Sequence, residues 1–341
     1  MKASQISTLL PKLANVKQPV MLWGSPGVGK SNTVAAFAKQ YAGKQAPATK
    51  YYSDGLIDIR LSMMDSVDLR GIPVAVVKDG TTMWMTPDMF PRSGKGVIFL
   101  DEIVQAIPTV QSAASQLILD RRIGDYKLPD GWAVVAAGNR TTDRASAHRM
   151  PSQIANRFTH INYEFDLDDW TEWAFAKGIN PMVIAFGGFK PGLINAFKPT
   201  ELVNPTPRSW EFVSNILSQD VDDCMLEVIA GTVGEGAATE FVGFVRVFRE
   251  MPDYETICKR PGGTKVPENV AARYAVATML AQRTQNNDMK AVTQYVNRMP
   301  EEFQILTMND MTRRNKRLAE TSSYITWAAA HKDMLLNATV R

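Results

Sequence analysis

The first half of the chain alternates short apolar runs with longer segments in which apolar residues recur at helical spacing. Each run has the length of a β-strand, and most are bounded by Gly, Pro, Asp or Asn, which favour turns. The runs cover residues 19–23, 56–61, 96–100, 132–137 and 160–165, and helical spacing is clearest in 30–41 and 108–119. Strands separated by helices predict an α/β fold, an αβα sandwich around a five-stranded parallel sheet.

A β-hairpin is predicted between the second and third runs. Residues 72–77 and 81–85 have strand-like composition, and Asp79-Gly80 between them supplies the turn. The second strand carries Met83, Trp84 and Met85, an apolar edge available to a partner.

After about residue 166 the strand pattern disappears, and the remaining sequence is typical of helices. Breaks rich in Pro and Gly fall at 187–192, 198–207 and 260–267. We therefore predict three parts. They are an α/β core at 1–165, a small helical domain at 166–219 and a C-terminal helical region at 220–341.

Composition and charge exclude little. The 341 residues are 45% hydrophobic and 21% charged, an ordinary globular composition. The net charge of +3 is too small to indicate nucleic-acid binding without a local basic patch. No apolar run approaches the roughly 20 residues of a membrane span, and the two cysteines have no metal-ligand spacing. These features favour a soluble cytoplasmic protein with free thiols.

Residues 24–31 match the G-x-x-x-x-G-K-[ST] pattern of a phosphate-binding loop. The loop follows the first predicted strand and opens a helix, which is the context that the motif requires. Backbone N–H groups of such a loop converge on phosphate oxygens, and the helix N-terminus adds favourable partial charge. Lys30 is expected to reach the β- and γ-phosphates, and Ser31 to bind Mg²⁺. The nucleotide-binding residues are Gly24, Ser25, Pro26, Gly27, Val28, Gly29, Lys30 and Ser31.

A second chemical element is the apolar run 97–100, which leads directly into Asp101 and Glu102. Because adjacent strand residues point to opposite sides of a sheet, the two carboxylates are expected to do different work. Asp101 is expected to hold Mg²⁺ through water, and Glu102 to polarise the attacking water. Together with the phosphate loop, this pair predicts nucleotide hydrolysis.

Asn139 ends the fourth predicted strand, where it is expected to lie near the γ-phosphate. Asparagine is also a common turn residue, so the residue alone leaves that interpretation open. The stretch 139–143 differs from the guanine-reading N-K-x-D motif because its Asp comes one position late. Guanine specificity is therefore not predicted.

Two arginines stand at candidate positions. Arg157 lies just before the fifth predicted strand, and Arg208 lies where a helix starts after two prolines. From the residues alone, each is equally compatible with an ordinary salt-bridge partner.

Together these motifs resemble those of the AAA+ ATPases, and within them the MoxR-like and dynein-related group. The resemblance covers roughly residues 18–251. It rests on the phosphate loop, the strand 97–102, Asn139, and the segments 156–158 and 206–210.

The resemblance implies a role for each of these side chains. Asn139 is similar to the first sensor, which positions the lytic water. Arg157 is similar to the arginine finger, which acts on ATP bound by the neighbouring subunit, although Arg140, Arg144 and Arg149 compete for that role.

Arg208 is similar to the second sensor, which reports γ-phosphate from a helical lid at 166–219. The hairpin at 72–85 resembles the insertion that faces the central pore of MoxR-like rings.

The resemblance also implies the P-loop NTPase sheet order of the AAA+ core, with the phosphate-loop strand central. It implies ATP and Mg²⁺ as cofactors, a homo-oligomer that is typically a hexameric ring, and often a partner protein with a von Willebrand factor A domain. The function favoured is therefore that of a MoxR-like ATPase that remodels or activates a partner protein.

The alternative is a nucleic-acid-dependent motor of the restriction-type AAA+ group. It would use the basic run 313–317, although such a run is more often a solvated helix face. A switch that binds nucleotide without hydrolysis is disfavoured by the presence of Glu102.

Overall fold

The computed structural model describes residues 1–45, 54–140, 150–219, 221–249 and 251–332. Its contacts divide the chain into two compact units. The first is Met1–Asp166 with Lys198–Thr200, and the second is Leu167–Phe197 with Glu201–Arg341. The predicted separation of a lid at 166–219 from a later region at 220–341 stays a prediction.

The first unit is built on a five-stranded parallel sheet, as predicted. The strands of the described residues are β1 (Val20–Trp23), β2 (Leu56–Arg60), β3 (Ile72–Val76), β4 (Thr81–Met85), β5 (Gly96–Asp101), β6 (Arg122–Ile123), β7 (Tyr126–Lys127), β8 (Trp132–Gly138) and β9 (Thr159–Asn162). The order in the main sheet is β2-β5-β8-β1-β9. The middle strand is therefore β8, and the prediction that the phosphate-loop strand is central was wrong. β1 is still flanked on both sides, by β8 and β9, so its carboxyl end opens among those of its neighbours.

The helices of the first unit are α1 (Ala3–Asn15), α2 (Lys30–Ala42), α3 (Ser66–Arg70), α4 (Pro108–Asp120) and α5 (Ser152–Ala155). The predictions of α2 and α4 are confirmed. The sequence did not predict α1, because Pro11 and its lysines resemble a break. Ile6, Leu10 and Ala14 nevertheless recur every fourth residue and are buried against the sheet.

Alternation along β5 explains why helices cover both faces. Val97 and Phe99 lie in an apolar cluster with residues of α1 and α2. Ile98 and Leu100 lie in another cluster with residues of α4. Because β5 is buried on both sides, its sequence is continuously apolar until Asp101.

β3 and β4 form an antiparallel hairpin, in which Val74 pairs with Met83 and Pro73 with Trp84. The turn is closed by a hydrogen bond from the Asp79 N–H to the Val76 carbonyl at 3.1 Å. Every residue of β4 is exposed, so the hairpin displays apolar side chains to solvent.

Among the described residues of the second unit, every regular element is a helix, as the sequence predicted. Its helices are α6 (Leu167–Lys177), α7 (Pro181–Phe189), α8 (Pro207–Ile216), α9 (Met225–Val233), α10 (Glu235–Arg249), α11 (Tyr254–Lys259), α12 (Val270–Arg283), α13 (Met289–Val296), α14 (Glu301–Arg314) and α15 (Ser322–Ala330). Phe186, Trp210 and Phe241 form an aromatic cluster with ring centroids 5.2–5.3 Å apart. Among the described residues, no helix is long and apolar enough to cross a membrane.

Candidate active site

The phosphate loop joins β1 to α2, and its glycines have a backbone reason. Gly27 and Gly29 have φ values of +73° and +111°, which favour glycine because a Cβ would be strained there. Gly24 is close-packed, since an added Cβ would lie 3.2 Å from the carbonyl oxygen of Tyr163. The loop therefore has the compact, left-handed backbone turns that bring N–H groups together at a helix N-terminus.

Lys30 is buried at the first turn of α2 and points back over the loop. Its Nζ donates to the carbonyl oxygens of Gly24 at 2.6 Å and Ser25 at 3.0 Å, and to Oδ1 of Asn139 at 3.2 Å. A buried ammonium needs such oxygen partners, because burial without them carries a large desolvation cost. The loop thus stores a positive charge where a phosphate group would bind.

Ser31 and Asp101 come together from α2 and β5. The Ser31 hydroxyl donates to Oδ2 of Asp101 at 3.2 Å, and Oδ1 of Asp101 accepts the Glu102 N–H at 2.9 Å. Hydroxyl and carboxylate oxygens suit Mg²⁺, which usually takes one or two protein ligands and keeps its remaining positions for water and substrate phosphates. Among the described residues no cluster of three His, Cys, Asp or Glu side chains offers a complete metal cage. The oxygen chemistry of Ser31 and Asp101 fits Mg²⁺.

Glu102 diverges from Asp101 for a reason that differs from the predicted one. β5 ends at Asp101, and Glu102 lies in the following turn with φ +57°. Because Glu102 lies beyond the strand in a left-handed conformation, strand alternation does not set the direction of its side chain. The Ser62 hydroxyl donates to Oε2 of Glu102. Ser62 is a site residue that the sequence did not suggest, because only the pairing of β2 with β5 brings it near.

Asp58 is a further carboxylate near this site that the sequence did not indicate. It pairs in register with Phe99, so it lies on the same face of the sheet as Asp101. Partial burial raises the pKa of Asp58, and the negative charge of Asp101 raises it further, while Arg60 lowers it. The only sequence signal was an acidic residue among the apolar residues Leu56, Ile57 and Ile59 of an edge strand.

Asn139 follows β8 and contacts Lys30, so the structure brings it to the phosphate loop. The next residue, Arg140, donates to the carbonyl oxygen of Tyr163 at 3.2 Å. Arg140 is therefore engaged within its own chain. The other two competing arginines, Arg144 and Arg149, lie outside the described residues.

Arg157 follows α5, and its side chain is exposed. Within the described parts of the chain, no hydrogen bond or ion pair engages its guanidinium. Arg208 is at the second position of α8, whose start is capped by Thr206 and Ser209. It too is exposed, and it belongs to the second unit.

Comparison with known proteins identifies the class of this site. Residues 20–163 match the AAA family, described as the ATPase family associated with various cellular activities. The match starts at β1 and ends one residue after β9, so it covers the whole sheet. The chain therefore carries an AAA ATPase domain, and it is an ATP hydrolase.

Two solved structures are similar to this chain at low sequence identity. NtrX from Brucella abortus in complex with ATP has 11% identity and a TM-score of 0.41, over 97% of this chain and 67% of that chain. A RuvB mutant from Thermotoga maritima has 16% identity and a TM-score of 0.39, over 76% of this chain and 74% of that chain. At these TM-scores the likenesses carry no argument, and the assignment rests on the family match.

Proposed function

We propose that the protein is a MoxR-like AAA+ ATPase that assembles into a ring, typically of six copies, and remodels or activates a partner protein. One observation carries the proposal. The groups needed to bind and cleave ATP meet in one unit, whereas Arg157 is exposed and unpaired among the described residues. An arginine with that exposure is available to complete the site of a neighbouring copy.

Within one subunit, each side chain has a defined task. Lys30 exchanges its loop carbonyl partners for β- and γ-phosphate oxygens. Ser31 and Asp101 would hold Mg²⁺, which would supply positive charge to neutralise the phosphates. Glu102 accepts a hydrogen bond from the attacking water, and Asn139 orients that water.

Arg157 of one subunit supplies positive charge to the ATP site of the neighbouring subunit, which lacks that charge by itself. An arginine finger in trans is worth about 10³–10⁵ in rate, because it stabilises charge that develops on the transferred phosphoryl group. Arg208 is the proposed second sensor of the γ-phosphate. A protein with a von Willebrand factor A domain is the proposed partner.

Subunit mixing tests the trans arrangement. Arg157→Ala and Lys30→Ala subunits are each expected to be inactive, since one lacks the finger and the other lacks the phosphate-binding lysine. Mixed rings contain some interfaces with an intact Lys30 facing an intact Arg157, so mixing is expected to restore ATP hydrolysis. Arg92→Ala, which changes another exposed arginine of the same unit, serves as the control. No recovery on mixing, with rings still formed, would overturn the proposal.

The nucleic-acid motor receives less support from the basic run 313–317. Arg313 is paired with Asp168 at 2.9 Å, and Arg314 donates to the carbonyl oxygen of Ala281 at 3.3 Å. Only Lys316 and Arg317 of the run remain available for phosphate contacts. ATP hydrolysis that is stimulated by DNA and lost with added salt would favour the motor instead.

A further inference from the structure

His160 uses both of its ring nitrogens. Its Nδ1 accepts a hydrogen bond from Nε1 of Trp23 at 2.8 Å, and its Nε2 lies 2.8 Å from the carbonyl oxygen of Ala155. An indole N–H can only donate and a carbonyl can only accept. Nδ1 is therefore the acceptor, and Nε2 donates to the carbonyl oxygen of Ala155. The planes of the two rings are 12° apart, so the hydrogen bond lies close to both planes.

The two partners of His160 stand next to functional positions. Trp23 is the last residue of β1 and precedes Gly24 of the phosphate loop. Ala155 is the last residue of α5, two positions before Arg157. His160 thus bridges the strand that carries the loop and the turn that carries the exposed arginine.

Other contacts anchor the same turn. The side-chain amide of Gln18 donates to the carbonyl oxygen of Arg157 at 3.2 Å, and the Thr159 N–H donates to the carbonyl oxygen of Pro19 at 2.9 Å. Both tie the turn to the start of β1, whereas His160 ties it to the end of that strand. Two anchors along one strand define the orientation of the turn, and one alone does not.

We propose that His160 is a positioning residue that sets the direction in which the side chain of Arg157 projects from the subunit. This inference rests on the proposed role of Arg157 in trans. A misplacement of about 1 Å in a catalytic group can lower the rate about 100-fold, so a bridge of two hydrogen bonds is sufficient to matter.

Two substitutions separate the hydrogen bonds from the ring volume. His160→Phe removes both hydrogen bonds and keeps an aromatic ring. His160→Gln keeps one acceptor and one donor. We expect kcat to fall by up to about 100-fold in the Phe variant, with an unchanged KM for ATP, and to recover in part in the Gln variant. His331→Phe is the matched control, because His331 also lies beside a nearly parallel tryptophan ring, that of Trp327, but belongs to the second unit.

Subunit mixing decides whether His160 acts through Arg157. Lys30→Ala subunits cannot hydrolyse ATP, but they retain an intact His160 and Arg157. Mixed with His160→Phe subunits, they are expected to restore turnover at interfaces where their Arg157 faces an intact loop. If His160 acted on its own phosphate loop through Trp23, mixing would restore nothing.

The outcomes of the mixing experiments are distinguishable. Recovery with Arg157→Ala but not with His160→Phe would overturn the positioning role and leave the ring mechanism intact. Recovery with neither would overturn both. Wild-type kcat in the folded His160→Phe protein, checked by its melting temperature, would also overturn the positioning role.

Discussion

Glu102 combines an unusual backbone with a single hydroxyl partner. A left-handed conformation costs a residue other than glycine about 1–2 kcal/mol, and such strain is concentrated at functional sites. At Glu102 this conformation ends the side-chain alternation of the strand that contains Asp101. The carboxylate of Glu102 accepts a hydrogen bond from the Ser62 hydroxyl. The two neighbouring carboxylates can therefore serve different reacting groups.

Glu102→Gln is expected to retain ATP binding and to abolish turnover. An amide keeps the size of the side chain but cannot act as a base toward water. Binding of a fluorescent ATP analogue and release of phosphate measure the two properties separately. Glu201→Gln, a change at an exposed glutamate of the second unit, is expected to affect neither. Turnover that persists in Glu102→Gln would assign water activation to another group.

Asp310 is a carboxyl group that is buried among the helices of the second unit. It is 6% exposed on α14, and its pKa is raised to about 6 by burial, with Arg313 opposing the shift and Asp168 adding to it. Its Oδ1 lies 3.8 Å from Nη1 of Arg313, which is more closely engaged by Asp168 at 2.9 Å. The ionised form is therefore only partly compensated.

The pH dependence of Asp310 follows from this shift. Between about pH 4 and pH 6 the folded state holds the proton and the unfolded state releases it, so this group's contribution to the free energy of unfolding falls as pH rises. Above pH 6 the full cost is present, on the order of 3 kcal/mol. Asp310→Asn is expected to raise the melting temperature at pH 8 and to have little effect near pH 4. Asp79→Asn, on the exposed hairpin turn, is the control. An equal effect at both pH values would contradict this account.

At the level of elements, the hairpin of β3 and β4 is an exposed apolar part of the first unit. Ile72 is 61% exposed, Met83 50%, Trp84 42% and Met85 53%. Exposed apolar side chains on a soluble surface mark interaction sites, and methionine adapts to partners of varied shape. The hairpin therefore has the chemistry of a surface that contacts other polypeptides.

Changing Met83 and Trp84 together to Ser is expected to leave basal ATP hydrolysis intact and to weaken binding of casein, an unfolded polypeptide with apolar segments. The physical reason is the loss of apolar area that the partner would bury. Fluorescence anisotropy of labelled casein measures the binding. The double change of Lys78 and Asp79 to Ser alters charge on the same turn and is expected to have little effect. Unchanged binding by the first variant would exclude the hairpin as the contact.

At the level of the whole molecule, ATP hydrolysis is expected to depend on assembly of the subunits. If Arg157 acts in trans, specific activity is expected to fall on dilution, as rings dissociate and each site loses about 10³–10⁵ in rate. Phosphate release across a dilution series, with molar mass from light scattering, measures this directly. A monomer as active as the assembled form would contradict the arrangement.

The sequence predicted those parts of the site that are encoded locally. The phosphate loop is a contiguous motif between a strand and a helix, and Asp101 and Glu102 terminate an apolar run. Local conformation follows from neighbours in sequence, so these elements were found at nearly the observed positions. The sequence did not predict α1 because Pro11 indicated a break in the helix. The helix forms nevertheless, since its apolar stripe packs against the sheet.

The phosphate-loop motif at residues 24–31, and the order of an α/β core followed by a helical part, are evident from the amino-acid sequence alone. Which distant side chains meet at this loop depends on the tertiary fold. Ser62 reaches Glu102, and Asn139 reaches Lys30, because parallel strands that are neighbours in the sheet are far apart in sequence. Strand order and register depend on burial of both faces of the whole sheet, and no short window of sequence contains that information.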